Sequence, residues 1–187
     1  MNGPPPTVRP ATASDIPALV DLAAATFPLA CPPTTTREAM DAHIAAKLNA
    51  DVIGGWVSSP IHSVVVADAV VAGTLDGYAL ATYGPCGDPE AAVALDRVGV
   101  ASDPVHELSK IYVCAEAQGN GLAGALMEAA VAATREAHGP GPVWLGTNDA
   151  NLRAQAFYRR HGFTQVGTRT FVVGGSRESD VVMLRRD

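Results

Sequence analysis

The sequence predicts a mixed α/β domain with one βαβ unit at its centre, and three observations carry that prediction. Strand-like apolar runs alternate with helix-period stretches along the whole chain. One strand-like segment, residues 106–113 ("HELSKIYV"), leads straight into spaced glycines, a long helical pattern and another strand-like segment at 142–147. The length of 187 residues, with 48% hydrophobic and 17% charged, suits a single globular domain with a sizeable core.

Residues 1–6 are proline-rich and are expected to form a disordered tail, with a single domain over 7–187. Thr7–Arg9 reads as a short first strand. Thr12 or Ser14 can cap a helix over 15–26, where Ile16, Leu19, Val20, Leu22 and Ala23 form an apolar stripe. "FPLACPPTTT" reads as a loop, because its prolines oppose helix continuation. Its threonines can cap a second helix over 36–49.

Strands follow at 62–68 and 76–83, joined by a glycine-containing turn. Residues 84–105 read as a long polar connection, of a length that is usually functional or mobile. Beyond the strand at 106–113 the pattern gives a helix over 121–137, ended by "HGPGP", and then the strand at 142–147. A helix over 150–161 and strands at 163–173 and 180–185 complete the chain.

Composition narrows the function classes. A formal charge of −6 and a pI near 5.3 lack the basic excess of a nucleic-acid binder and are compatible with a cationic small substrate. Cys31, Cys86 and Cys114 are odd in number and show neither a disulfide framework nor zinc spacing, so no metal is expected. "MNGPPPTVRP" has no apolar signal-like core, and the run "SVVVADAVVAG" is short and broken by Asp68. The expectation is a cytoplasmic protein without a membrane or nucleic-acid partner.

Gly119, Gly121 and Gly124 spell G-x-G-x-x-G. A dinucleotide-binding reading requires this pattern near the start of a large doubly wound domain, with an acidic residue about 20 positions on. Here the preceding strand begins only at residue 106, and Trp144 stands twenty positions beyond Gly124. A Walker loop fails as well, since no Gly-Lys-Ser/Thr follows. A strand end, small residues and a helix start remain. That combination favours a pyrophosphate at unpaired backbone N–H groups, or else makes only a tight turn.

Read with Gln118, the stretch "QGNGLA" fits Q/R-x-x-G-x-G/A and resembles the acetyl-CoA pyrophosphate signature of the GCN5-related N-acetyltransferase (GNAT) family. Asn151, Ala154, Phe157, Tyr158, Gly162 and Phe163 resemble that family's N-x-x-A-x-x-F-Y-x-x-x-G-F segment, and "VRPATASDIPAL" its first strand and helix. Cys114-Ala115 departs from the family's common Asp-Pro. "ELSKIYV", "VWLGTNDAN", "FYRRHGF" and "FVVGGSRESDVVML" are similar to its Pai-type spermidine/spermine acetyltransferase branch. The resemblance implies a mixed, mostly antiparallel sheet of about six or seven strands flanked by helices, with a V-shaped splay between the fourth and fifth strands.

It also implies a chemistry: transfer of an acetyl group from acetyl-CoA to an amine by direct attack. The main chain of Gln118, Gly119, Asn120, Gly121, Leu122, Ala123 and Gly124 would hold the cofactor's diphosphate. Ile111, Tyr112 and Val113 would line the pantetheine arm, with the Val113 N–H as oxyanion donor. Asn151 would cap its helix, contact the cofactor, or both. Tyr158 is the candidate general acid toward the leaving thiolate and touches the cofactor. Glu107 is the candidate base, acting through a water, with His106 and Asp149 as lesser candidates.

Strand alternation predicts Glu107, Ser109, Ile111 and Val113 on one face, and His106, Lys110 and Tyr112 on the other. Cys114 raises an acetyl-cysteine alternative, although nothing near it in sequence lowers its pKa. Arg153, Arg159 and Arg160 are within sequence reach of the 3′-phosphate of CoA. Phe27 to Pro33 and the 84–105 connection would shape the acceptor pocket, with Asp88, Glu90, Asp96 and Asp103 suited to a cationic acceptor. The expected acceptor is a primary amine on a small molecule such as a polyamine. Protein or peptide N-acetylation and a non-catalytic acetyl-CoA sensor are the alternatives, and a homodimer is a family expectation.

Overall fold

The computed structural model describes residues 7–31, 35–173 and 176–186. The expected tail at 1–6 and Pro32 and Pro33 of the expected pocket segment lie outside the described residues. Strands β1 (Val8–Pro10), β2 (His62–Asp68), β3 (Leu75–Gly84), β4 (Val105–Val113), β5 (Val143–Asn148), β6 (Thr164–Val173) and β7 (Ser176–Arg185) form one sheet in the order β1-β2-β3-β4-β5-β7-β6. Its pairings are antiparallel except for β4 with β5, the parallel pair of the central βαβ unit.

Among the described residues six α-helices cover the sheet: α1 (Ile16–Ala30), α2 (Arg37–Lys47), α3 (Ala50–Ser58), α4 (Pro89–Arg97), α5 (Leu122–His138) and α6 (Leu152–Arg160). Period-two alternation assigns the faces. Val65 and Ala67 of β2 and Val181 and Met183 of β7 pack against Leu126, Met127 and Ala130 of α5. Val64 and Val66 turn the other way, onto Leu19, Leu22 and Ile53 of α1 and α3. On that same face Val182 and Leu184 meet Ala91, Ala94 and Leu95 of α4 around Trp144.

The structure departs from the sequence expectation at three elements. Helix α1 runs through Pro28 to Ala30 instead of ending at 26. Proline withdraws one N–H from the ladder, and this loss falls in the last turn. The segment 13–30 is long and apolar enough to cross a membrane by length and composition, and Leu19, Leu22 and Ala23 on one side of it are buried in the protein's own core. Helix α3 occupies residues to which the sequence pattern assigned no element. Asn49 caps it, accepting from the Val52 N–H at 3.0 Å.

The third departure is α4, which lies inside the expected 84–105 connection. Asp88 accepts from the Ala91 N–H at 2.8 Å, Pro89 fills the first helical position, and Ala91, Ala94 and Leu95 face the sheet. Leu95 is fully buried there. Truncation of a buried leucine costs about 2–5 kcal/mol, whereas a solvated loop position shifts stability by about 0.5 kcal/mol at most. Leu95→Ala should therefore lower the unfolding free energy obtained from urea denaturation by an amount in the first range; a change within the second would contradict a packed α4.

Candidate active site

The site forms where β4 and β5 part. Their ladder holds only His106↔Val143 and Glu107↔Trp144, after which the two strands diverge. The Cys114 N–H donates to Asp76 O of β3 at 2.9 Å. Antiparallel alternation then turns the N–H and C=O groups of Ile111 and Val113 away from β3, into the gap. Gln118 Nε2 donates to Val113 O from that side at 3.3 Å.

A cleft of about 660 Å³ occupies this gap. The turn from β4 into α5 forms one wall. Gly119 and Gly121 have φ of +86° and +87°, a left-handed conformation that side chains rarely adopt, and the space a Cβ would enter at either is open. Gly121 is the N-cap of α5, so the first-turn N–H groups lack carbonyl partners within the helix. Asn120 Oδ1 accepts from the Leu122 N–H at 3.1 Å, which fixes the turn from within. At Gly124 a Cβ would lie 3.0 Å from His161 Cε1, so glycine there lets the end of α6 approach.

The opposite wall is α6. Asn151 caps it, accepting from the Ala154 N–H at 3.0 Å, and also lines the cleft. Arg153 and Arg160 stand at its edge, with Arg153 Nη2 donating to Gln118 Oε1 at 3.4 Å. Arg159 instead donates to Gln155 Oε1 at 3.0 Å and does not line the cleft.

A second cavity of about 600 Å³ adjoins the first on the α1–α4 face of the sheet. Both are lined by Ile111, Tyr112, Asn151, Ala154 and Tyr158. Tyr158 is thus in the partition between them, and burial raises its phenol well above the ordinary range, which keeps it protonated. Tyr112 shares that position with its phenol pushed up to about 12, also by burial, and its ring stacks on Tyr78 at 5.5 Å.

Glu107 lines the second cavity. Burial raises its carboxyl above the ordinary range, while the Arg169 charge and the Ser109 hydroxyl partly oppose that shift. Phe27 and Cys31, from the expected pocket segment, line the same cavity.

Several sequence expectations require correction here. Strand β4 is bulged: Leu108 pairs with Ala81 and Lys110 with Leu80, so Ser109 is an extra residue without an opposite number. The predicted face assignment therefore fails. Glu107, Ser109, Lys110 and Tyr112 point to the second cavity, while Ile111 and Val113 pack with Leu108 on the α5 side.

His106 is buried against α5, hydrogen-bonded to Thr134 Oγ1 and, as donor from Nε2, to Gly139 O, both at 3.1 Å; it does not reach the cavity. Asp149 does not line it either. The four acids of 84–105 are elsewhere. Asp88 caps α4, Glu90 accepts from the Thr170 N–H, and Asp96 and Asp103 are exposed. Burial pushes the Cys114 thiol pKa up, away from the thiolate, and the residue lines neither cavity.

Sequence reasoning missed His43, Trp56, Arg169 and Asp180, all of which line the second cavity. Arg169 donates to Asp180 Oδ2 from Nη2 at 3.0 Å and ion-pairs with Asp88 at 3.5 Å. Its guanidinium fills the volume a side chain at Gly146 would take. Gly146 was the available signal, a glycine inside a strand that marks a close approach.

Comparison with known proteins places this geometry. Residues 17–163 match the model of the acetyltransferase (GNAT) family. The chain is 36% identical over 172 residues to uncharacterised N-acetyltransferases of Mycobacterium tuberculosis and Mycobacterium bovis, covering 92% of this chain and 97% of theirs. Among solved structures, a PaiA N-acetyltransferase from Thermoplasma acidophilum in complex with coenzyme A superposes with a TM-score of 0.72 at 15% identity, over 97% of this chain and 98% of that one. An NAA60 from Arabidopsis thaliana in complex with acetyl-CoA gives 0.70 at 14% identity, over 96% and 97%. At these identities the two structures support the fold alone.

The raised carboxyl of Glu107 makes a stability prediction. A carboxyl whose folded pKa lies above its unfolded value contributes stability below the unfolded pKa and loses it as pH rises through the folded one. Glu107→Gln removes that loss. It should raise the thermal unfolding midpoint at pH 7, with the gain vanishing below about pH 4, where the carboxyl is neutral in both states. A lower midpoint at pH 7 would contradict the assigned environment.

Proposed function

This chain belongs to the acetyltransferase (GNAT) family and is an acetyl-CoA-dependent N-acetyltransferase, and we propose that it acetylates the primary amine of a small molecule by direct attack in a ternary complex. The observation that carries this reading is the pair of adjoining cavities with Tyr158 in their partition. One presents the glycine turn, the other Glu107. A reaction between two bound substrates requires that arrangement.

The first cleft fits the cofactor. First-turn N–H groups that lack carbonyl partners within the helix, beside open space, suit a diphosphate, and Arg153 and Arg160 suit a further phosphate at the edge. Bound acetyl-CoA supplies the acetyl group as a thioester. Ile111 and Val113 offer backbone groups to its extended arm, and the Val113 N–H would donate to the carbonyl oxygen as negative charge develops on it. Tyr158, held protonated by burial, donates a proton to the departing sulfur. Glu107 accepts the proton of the incoming ammonium, through a water.

A polyamine acceptor would meet the carboxylates of Glu107, Glu178 and Asp180 in the second cavity, together with the fixed cations Lys110 and Arg169. The three cysteines are unpaired, which accords with a reducing cytoplasm.

Free-thiol release from acetyl-CoA against polyamines, amino acids, aminoglycosides and peptides tests the reading. Turnover of small amines is expected. Tyr158→Phe and Glu107→Gln should each lower kcat by about 100-fold or more, the scale of a lost proton-transfer group. Wild-type rates in both variants would contradict the assigned roles. Coenzyme A binding without thiol release for any amine would make this a sensor.

A further inference from the structure

The bulge at Ser109 has a chemical consequence. In an unbroken strand, residues three apart face opposite sides of the sheet. The extra residue instead brings Glu107 and Lys110 to the same cavity. Their partners on β3, Thr82 and Leu80, are only two residues apart, which sets the two α-carbons about 7 Å from each other along the strand. An acid and a base thus stand on the same β4 wall of the second cavity.

The other cation of the cavity is already engaged. Arg169 is held by Asp180 and Asp88. Asp180 is correspondingly committed, and Glu178 enters from β7 rather than from the β4 wall. Lys110 differs: among the described residues no carboxylate forms an ion pair with it. Its Nζ lies 5.4 Å from the Trp56 ring centroid, beside the stacked rings of Phe27 and His43.

A largely buried ammonium is costly without an anionic partner, and an aromatic face offsets only part of that cost. The charge nearest Lys110 along the strand is Glu107, and the proposed reaction assigns that carboxylate to the acceptor's ammonium.

We propose that the acceptor is a small amino-carboxylate, whose ammonium meets Glu107 and whose carboxylate meets Lys110. This inference rests on the acetyltransferase reading above and specifies its substrate class. A polyamine has nothing to offer Lys110 and brings a second cation against it. An amino acid satisfies both groups of the wall at once.

The test is kcat/KM for thiol release with matched acceptors: α-, γ- and ε-amino acids, each against its own carboxamide, with spermidine as a further arm. At least one amino acid should exceed its carboxamide and spermidine by roughly tenfold or more, the discrimination expected when a site's buried polar group is left unpaired. In Lys110→Met that ratio should fall to about twofold or less, chiefly through KM. Lys110→Arg should retain it, because the cation is kept. A ratio between two acceptors is insensitive to a general loss of folded enzyme.

Carboxamides or spermidine used as well as the acids would overturn the inference and leave the acetyltransferase reading in place. An unchanged ratio in Lys110→Met would overturn it too. Absence of thiol release with every acceptor, while calorimetry registers acetyl-CoA binding, would overturn the acetyltransferase reading and this inference together.

Discussion

The site depends on two parallel strands that stay together for only two residue pairs. A buried backbone N–H or C=O left without a partner is costly, so strands seldom part inside a sheet without something to satisfy the exposed groups. Here β4 and β5 diverge beyond Glu107 and Trp144, and the backbone of Ile111 and Val113 faces the gap. The same divergence opens the cleft toward the first turn of α5, whose N-terminal amides have no carbonyl partners within the helix and of which Leu122 is bonded to Asn120 Oδ1. A ligand with an extended, amide-bearing arm and an anionic end answers both needs. The proposed cofactor site is thus a place where the fold has left backbone polarity that a ligand would complete.

Local backbone devices then distribute the chemistry. Positive φ at Gly119 and Gly121 turns the chain tightly enough for α5 to begin beside the strand end. The bulge at Ser109 changes which side chains share a wall, and so sets Lys110 beside Glu107. Gly146 leaves the volume that the Arg169 guanidinium occupies between Asp180 and Asp88. The second cavity is consequently lined by fixed charges of both signs, with Tyr158 in the partition toward the first.

Much of this was legible in the sequence. The order of strands, the central βαβ unit, the glycine turn and Tyr158 on its helix follow from periodicity and motif, because long apolar runs and glycine at positive φ leave strong local signatures. The missed elements have weak ones. Helix α3 is nine residues long and carries Gly54 and Gly55, so its helical propensity is poor and its stability comes from packing against α1 and β2. Helix α4 buries mainly alanines, which give little apolar contrast, although Asp88-Pro89 was a readable start signal. The bulge is set by cross-strand register and has no one-strand signature. It misassigned the faces of β4, and with them the position of Lys110. Arg169 and Asp180 meet only through pairing of the last two strands, which sequence spacing does not reveal.

The proposed chemistry begins with main-chain amides of residues 119–124 holding the diphosphate of coenzyme A. A crystal structure of the protein with coenzyme A tests it most directly. Diphosphate oxygens should lie within hydrogen-bonding distance of those amides, with the pantetheine arm running along Ile111 and Val113. A diphosphate bound elsewhere, with the glycine turn untouched, would contradict it.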